Sequence, residues 1–175
     1  MDAFTDEIVV PQDRIAVVIG KKGVTKRDIE ERTGVKLEVD TKSGEVRVTR
    51  FPEGDQLSAI AARNIVMAVA CGFSPQKAFK LLSPNVYLEV LDLTEYAGSA
   101  KDLTRLKSRI IGRDGRVRTY ISTRTGVDLV IGEKIVGVMG TPDGVNIAIE
   151  AIGMILRGSM HTAVFRFLDR HKIEG

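Results

Sequence analysis

The sequence holds a single cysteine, no tryptophan, and only six phenylalanines and three tyrosines among 175 residues. One cysteine excludes an intramolecular disulfide and a multi-cysteine zinc site. Cys71, set among Met67, Ala68, Val69 and Ala70, reads as a small apolar core residue of a protein kept in a reducing compartment. So few aromatics exclude a platform of stacking rings as the main device of any nucleic-acid site. Asparagine and glutamine are also scarce, three of each, a bias found in proteins from hot environments. No apolar run approaches the roughly 18 residues that span a bilayer. The opening stretch, with Asp2, Asp6 and Glu7, lacks the basic-then-apolar pattern of a secretion signal. The expectation is a soluble, cytoplasmic protein without a membrane partner. His161 and His171 stand ten residues apart with no Cys, Asp or Glu at ligand spacing, so neither a metal nor another cofactor is expected. No Ser-His-Asp or paired-carboxylate arrangement is visible, so the sequence predicts a non-enzyme.

What is present is charge and aliphatic bulk. The chain is 43% hydrophobic and 28% charged, with a formal net charge of +3, enough for two small cores. The positive charge is unevenly spread. From Lys101 to Arg124 there are eight basic residues against two acidic ones, and from Arg14 to Lys36 seven against three. The remainder is therefore net acidic, and the positive field gathers in two windows.

Those windows coincide with an internal repeat, the feature to seek first in any chain. Ile19-Gly20-Lys21-Lys22-Gly23 matches Ile111-Gly112-Arg113-Asp114-Gly115, and Arg32-Thr33-Gly34-Val35 matches Arg124-Thr125-Gly126-Val127, all at an offset of 92. Lys26 aligns with Arg118, Ile29 with Ile121 and Leu37 with Leu129. The offset then falls to 90, because residues 40–44 are replaced by the shorter Gly132-Glu133-Lys134. A length change in a hairpin loop costs little.

Each copy reads as β-α-α-β-β-α. First strands are expected at 7–11 and 86–93, helices at 13–19 and 103–111 leading into the glycine pair, and helices at 24–33 and 116–125 leaving it. Gly34 and Gly126 should end the latter as left-handed caps. Alternating Val35, Leu37, Val39 and Val127, Leu129, Ile131 face Val46, Val48 and Val136, Val138 in hairpins. Long amphipathic helices at about 54–70 and 143–156 close the copies. Ser74-Pro75 marks an N-cap with proline in the first helical turn, opening a short helix at 75–82. The expected layout is a first domain at 1–72, an interdomain helix and linker at 73–85, a second domain at 86–158 and a terminal helix at 159–175, packed on a core or a partner.

Two glycines two residues apart are a weak signal alone. Here, however, they join two helices in both copies, with basic residues between them and an apolar hairpin following at fixed distance. The Walker loop, Gly-x-x-x-x-Gly-Lys-[Ser/Thr], is not met by either stretch. The pattern is that of the KH fold, in which the glycine loop lets the backbone approach phosphates and clamps about four nucleotides. The fold class is thus α+β, two tandem type I KH domains. The candidate RNA-binding residues are Gly20, Lys21, Lys22, Gly23, Lys26 and Leu37 in the first copy. In the second they are Lys107, Arg109, Ile111, Gly112, Arg113, Asp114, Gly115, Arg116, Arg118, Leu129 and Val130. Lys21, Lys22 and Arg113 would pair with phosphates, while bases lie against the second strand around Leu37 and Leu129, where backbone groups can read their edges. Tyr120 faces either the groove or the core, and Tyr87, Phe165 and Phe167 are assigned to packing.

The chain resembles the archaeal KH-repeat relatives of the eukaryotic "partner of Nob" family of small-subunit ribosome assembly factors. The resemblance is carried by the Ile111-Gly112-x-x-Gly115 loop, Arg118, the segment 121–127, Tyr87-Leu88-Glu89-Val90, and Met154-Ile155-Leu156-Arg157-Gly158 leading to Val164-Phe165. Phe73 to Leu82 is similar to that family's interdomain helix. The resemblance implies a non-catalytic factor that binds the 3′ end region of 16S rRNA as single strand. It also implies partnership with the Nob endonuclease and with the α subunit of initiation factor two. In eukaryotic relatives the first copy has generally lost its glycine loop, whereas Gly20 and Gly23 stand here. Asp114 places a negative charge where related loops carry Lys or Gly. Two further readings stay open: a protein-binding adaptor with KH domains as scaffold, and an mRNA regulator or RNA-degradation accessory.

Overall fold

The structure, a computed structural model, describes residues 5–173; the expectation for Asp2 lies outside them. The chain forms two compact units that meet at Ser83 and Pro84. In the first, β1 (Thr5–Val9), α1 (Gln12–Ile19), α2 (Val24–Thr33), β2 (Val35–Val39), β3 (Glu45–Arg50) and α3 (Gln56–Cys71) are followed by the short α4 (Pro75–Ala78). In the second, β4 (Tyr87–Asp92), α5 (Ala100–Ile111), α6 (Arg116–Thr125), β5 (Asp128–Ile131), β6 (Ile135–Gly140) and α7 (Pro142–Leu156) are followed by α8 (His161–Arg170). Each unit has one antiparallel sheet, ordered β1-β3-β2 and β4-β6-β5. The two-residue alternation of the sequence sends Val46, Val48, Val136 and Val138 fully into the cores.

The repeated Arg-Thr-Gly-Val is explained position by position. Thr33 and Thr125 are buried, and their hydroxyls donate to the carbonyls of Ile29 (2.5 Å) and Ile121 (2.7 Å). Gly34 and Gly126 adopt φ of 66° and 73° to end α2 and α6, the left-handed turn that glycine enters without a Cβ clash. Val35 and Val127 open the second strands as core residues. Arg32 lies over the Phe79 ring at 4.4 Å and Arg124 over Tyr120 at 4.5 Å.

Two expected boundaries shift. The helix assigned to the linker belongs to the first unit: Phe73, Ala78 and Leu81 are buried, and α4 packs on α3. Its start is as expected, with the Ser74 hydroxyl accepting the Lys77 amide and Pro75 in the first turn. The terminal α8 likewise completes the second core, where Val164 and Leu168 are fully buried with Ile121, Ile152 and Ile155. Each repeat therefore carries a helix beyond the β-α-α-β-β-α unit.

Both added helices are held by an arginine from different turns of the first helix. Arg14 donates to the carbonyls of Val69 (2.8 Å) and Phe73 (2.9 Å). Arg109 donates to those of Ile155 (2.8 Å) and Ser159 (2.6 Å). Each fork thus satisfies a helix-end carbonyl and one four residues on. Lysine cannot span the pair. Arg14→Lys and Arg109→Lys should each cost about 1–3 kcal/mol, read as a lower urea midpoint at unchanged slope.

The aromatic assignments divide. Tyr120 lies on the core side, its ring 4.3 Å from that of Phe165 and its hydroxyl donating to Asp169 at 2.6 Å. Phe165 and Phe167 pack as expected. Tyr87 does not: the first residue of β4, opposite Gly140, it is 52% exposed. Burial pushes the Cys71 thiol up to about 11, which agrees with an unreactive apolar role. No helix among the described residues is long and apolar enough to cross a membrane.

Candidate nucleic-acid interface

The glycine pairs sit in tight turns between the first two helices of each unit, and the two glycines of a pair differ in kind. Gly20 and Gly112 have φ of 78° and 75° with ψ of 168° and 173°. A Cβ on Gly20 would stand 2.4 Å from Thr25 Oγ1, and one on Gly112 2.4 Å from Val117 Cγ2. These first glycines let the turn pack against the helix that follows. Gly23 and Gly115, at φ of 76° and 75°, are left-handed, and nothing lies within 4 Å of a Cβ on Gly115. The second glycine keeps an open surface.

Between them, Lys22 and Asp114 also take left-handed backbone, at φ of 55° and 54°. Aspartate tolerates that region far better than most side chains. This is the local physical reason an acidic residue can stand in the second loop. Among the described residues Asp114 forms no ion pair with Arg113 or Arg116.

The turn consumes few of its amides. Gly23 donates to Gly20 (3.1 Å) and Val24 to Lys21; Gly115 donates to Gly112 (3.2 Å) and Arg116 to Arg113. Those of Lys21, Lys22, Arg113 and Asp114 have no partner of this kind among the described residues. Each pair thus offers unused N–H groups at the start of a ten-residue helix, where the helix dipole favours an anion.

The cations around the second loop have different fates. Arg113 and Arg116 are exposed, the latter 5.8 Å from the Phe165 ring. Arg109, expected from the sequence to touch RNA, has both terminal nitrogens committed to the helix-end carbonyls described above. Lys107 donates to the Glu133 carbonyl (3.1 Å), Arg105 pairs with Asp102 (2.7 Å), and Arg124 pairs with Asp169 (2.9 Å). The excess positive charge of this window therefore belongs in part to folding. In the first unit Lys21 and Lys22 are exposed, while Lys26 pairs with Glu30 at 3.1 Å.

The second strands show how their backbones could meet a base. Leu37 and Leu129, placed by the sequence pattern under the bases, have side chains 1% and 5% exposed. They are core residues, and only their backbones face outward. β2 and β5 are edge strands, and antiparallel pairing turns alternate residues toward and away from the neighbour. The bond from the Gly132 amide to Ile135 (2.8 Å) sets the phase. Val130, opposite Gly137, spends its backbone groups inside the ladder, whereas Leu129 directs them to the free edge. The Asp40 amide's bond to Glu45 (2.9 Å) does the same for Leu37.

Side chains from α2 and α6 already meet these edges. Glu30 Oε2 accepts from the Leu37 amide at 3.1 Å, and Arg118 Nη2 donates to the Leu129 carbonyl at 3.1 Å. Sequence reasoning misses Glu30, since its repeat partner is Ser122 and no motif marks it. The half-buried Ile19 and Ile111 supply the apolar shoulder next to each loop. The candidate interface in each unit is therefore a run of unused amides, an open glycine, exposed cations and an unpaired strand edge.

Comparison with known proteins places this arrangement. Residues 87–173 match the second KH domain of the PNO1 group, described as a eukaryotic-type, type I KH domain, and residues 5–68 match the KH domain. A KH domain-containing protein of Methanocaldococcus jannaschii is 39% identical over 171 residues, covering 98% of this chain and 75% of that one. The RNA-binding protein pno1 of Dictyostelium discoideum is 23% identical over 156 residues, covering 87% and 65%. Among solved structures, Dim2p of Pyrococcus horikoshii superposes with a TM-score of 0.88 at 43% identity, covering 95% of this chain and 99% of that one. A complex containing Dim2p of that organism, the α subunit of its initiation factor two and rRNA matches at 0.89, also at 43% identity, covering 96% and 93%. With two KH domains in tandem and relatives matched along almost its whole length, the chain belongs to the Dim2/PNO1 family of KH-domain proteins.

Proposed function

We propose that the protein binds single-stranded RNA in small-subunit ribosome biogenesis, holding the 3′ end region of 16S rRNA mainly through its second KH domain. The observation that carries this reading is the Gly112–Gly115 turn. Its first glycine is locked against α6 and its second is open, and the amides between them are unused. Phosphates approach such a surface closely, and Arg113 and Arg116 add charge. The family supports the RNA reading: its relatives include pre-rRNA-processing proteins, and Pyrococcus Dim2p has been solved with rRNA. That complex also contains the α subunit of initiation factor two, so a protein partner of this kind belongs to the proposal. The Nob endonuclease enters by the family resemblance alone.

Crosslinking followed by sequencing of the bound RNA tests the assignment. Reads concentrated at the 3′ end of 16S rRNA are expected; reads spread over mRNAs would select the regulator instead. In vitro, Arg113→Glu with Arg116→Glu should lower affinity for a short single strand. It should also flatten the salt dependence by about 0.7 in log K per log salt for each phosphate that is no longer neutralised. An unchanged slope in the folded variant would place the phosphates elsewhere. Asp114→Asn keeps a residue suited to the left-handed position while removing a charge close to the phosphate. It should tighten binding about fivefold at low salt, and the gain should shrink as salt is added.

A further inference from the structure

The polar groups at the two strand edges are of opposite kind. In the second domain Leu129 directs both its N–H and its C=O out of the sheet, and Arg118 occupies the carbonyl. What faces a ligand is the Leu129 N–H, a carbonyl already engaged by one donor and the other N–H groups of the guanidinium, a surface in which donors predominate. In the first domain Glu30 occupies the Leu37 N–H. What remains there is the Leu37 carbonyl and the other lone pairs of a carboxylate whose Oε1 accepts from Lys26 at 3.1 Å, a surface in which acceptors predominate.

An uncovered strand edge offers one C=O and one N–H side by side. That pair matches the adenine Watson–Crick edge, where the N6 amino group donates and N1 accepts. Arg118 engages one lone pair of that acceptor and crowds it with donors, so the N6 amino group of adenine would face N–H groups. Bases with two neighbouring acceptors fit instead: cytosine through N3 and O2, or guanine through N7 and O6. In the first domain the acceptor pair fits two neighbouring donors. Only guanine has them, at N1 and N2.

Resting on the RNA reading above, we infer that Arg118 and Glu30 are specificity-determining residues that set opposite hydrogen-bonding polarity in the two grooves. The second is selective for a cytosine or guanine acceptor edge and the first for the guanine donor edge. The simpler alternative is that Arg118 lies along the groove as one more phosphate ligand and Glu30 merely pairs with Lys26. The two readings predict different things of the same variants. A phosphate ligand affects all sequences equally, whereas a polarity-setting residue changes which base is chosen.

The test is a selection from a random single-stranded RNA pool with the full chain, its Arg118→Met variant and its Glu30→Met variant, followed by affinity measurements on the enriched sequences. Methionine keeps an unbranched stem and removes every hydrogen bond. Arg118 is exposed and Glu30 half-buried, and an unchanged thermal transition checks that each variant is folded. For the wild type, one position should disfavour adenine by about tenfold, the discrimination of a good two-bond contact. In Arg118→Met adenine should be recovered there to within about threefold of cytosine. In Glu30→Met a guanine preference at a separate position should fall by a similar factor. A uniform drop in affinity with an unchanged motif would overturn the inference and leave the RNA reading standing. A wild-type chain that enriches no sequence and retains no RNA would overturn both.

Discussion

A chain ending at Gly158 should lose the cooperative unfolding of its second domain while keeping that of the first. The removed α8 is no appendage. Val164 and Leu168 are fully buried in the second core, Phe165 packs against Tyr120, and His161 bonds to the Arg109 carbonyl at 2.9 Å. Removing one buried leucine side chain costs about 2–5 kcal/mol. Losing Leu168, Val164 and the packing beneath them is therefore comparable with the whole stability of a small domain, about 5–15 kcal/mol. Leu168→Ala is the graded version, lowering the second-domain midpoint by the single-residue amount. Acid should act on the same junction. Hydrogen bonds from Tyr120, then Arg124, hold the Asp169 carboxyl below its ordinary value. The stability it adds is present above the unfolded carboxylate range, near 4, and is lost as pH falls through its lower folded value. Amide exchange resolves the two domains. Native protection in the second after truncation would mean that the helix is peripheral. The same result bears on partner binding: a pull-down abolished by deleting residues 161–172 reports an unfolded domain as readily as a missing docking helix.

The sequence is most legible where local geometry and the repeat agree. Gly34 and Gly126 are readable as caps because a helical period ends on them, and Ser74-Pro75 as a helix start because both residues act through their own backbone. The hairpin shift of two residues corresponds to loops of five and three residues between the strands. What escapes is anything decided by packing across distance. Arg109 reads as an RNA ligand because it lies in a basic window, yet its partners are carbonyls 46 and 50 residues away. Arg14 performs the same task from another turn of its helix, so the repeat offset of 92 does not align the two. Leu37 and Leu129 are legible as inward-facing strand residues beside the groove, but strand periodicity cannot say which of their backbone groups a neighbouring side chain already occupies. Glu30 carries no mark in the sequence, and Arg118 reads as a cation shared with the family but not as the partner of a strand edge. The strand edge that each covers becomes visible only when the sheet order is known.

Replacing Gly112 by alanine should be far more damaging than the same change at Gly115, although the motif treats the two alike. At Gly112 the added carbon would lie 2.4 Å from Val117 Cγ2 and 2.8 Å from the Val117 backbone nitrogen. The side chain could rotate, but the backbone belongs to the first turn of α6 and can move only by displacing that helix. The dihedral pair there, φ 75° with ψ 173°, is in a region that only glycine populates, at a strain of about 1–3 kcal/mol before any clash. With overpacking added, again about 1–3 kcal/mol, the second domain should lose roughly 2–6 kcal/mol. Gly115 is left-handed with open space around it, so alanine should cost only about 1–2 kcal/mol. Gly20, with Thr25 Oγ1 at 2.4 Å and its nitrogen at 2.7 Å, should behave as Gly112 does, in the first domain. The difference decides how the RNA surface is probed. A paired Gly112→Asp, Gly115→Asp variant would lose binding by unfolding its own loop. Gly115→Asp alone places a carboxylate on the open side of the turn while the domain stays folded. Denaturation of the alanine variants and RNA titration of Gly115→Asp therefore form one experiment. A midpoint that falls at position 112, with affinity that falls at position 115, would assign the first glycine to the helix packing and the second to the phosphate. Equal midpoints for the two alanines would mean that α6 yields to the Cβ, and the division of labour within the pair would be wrong.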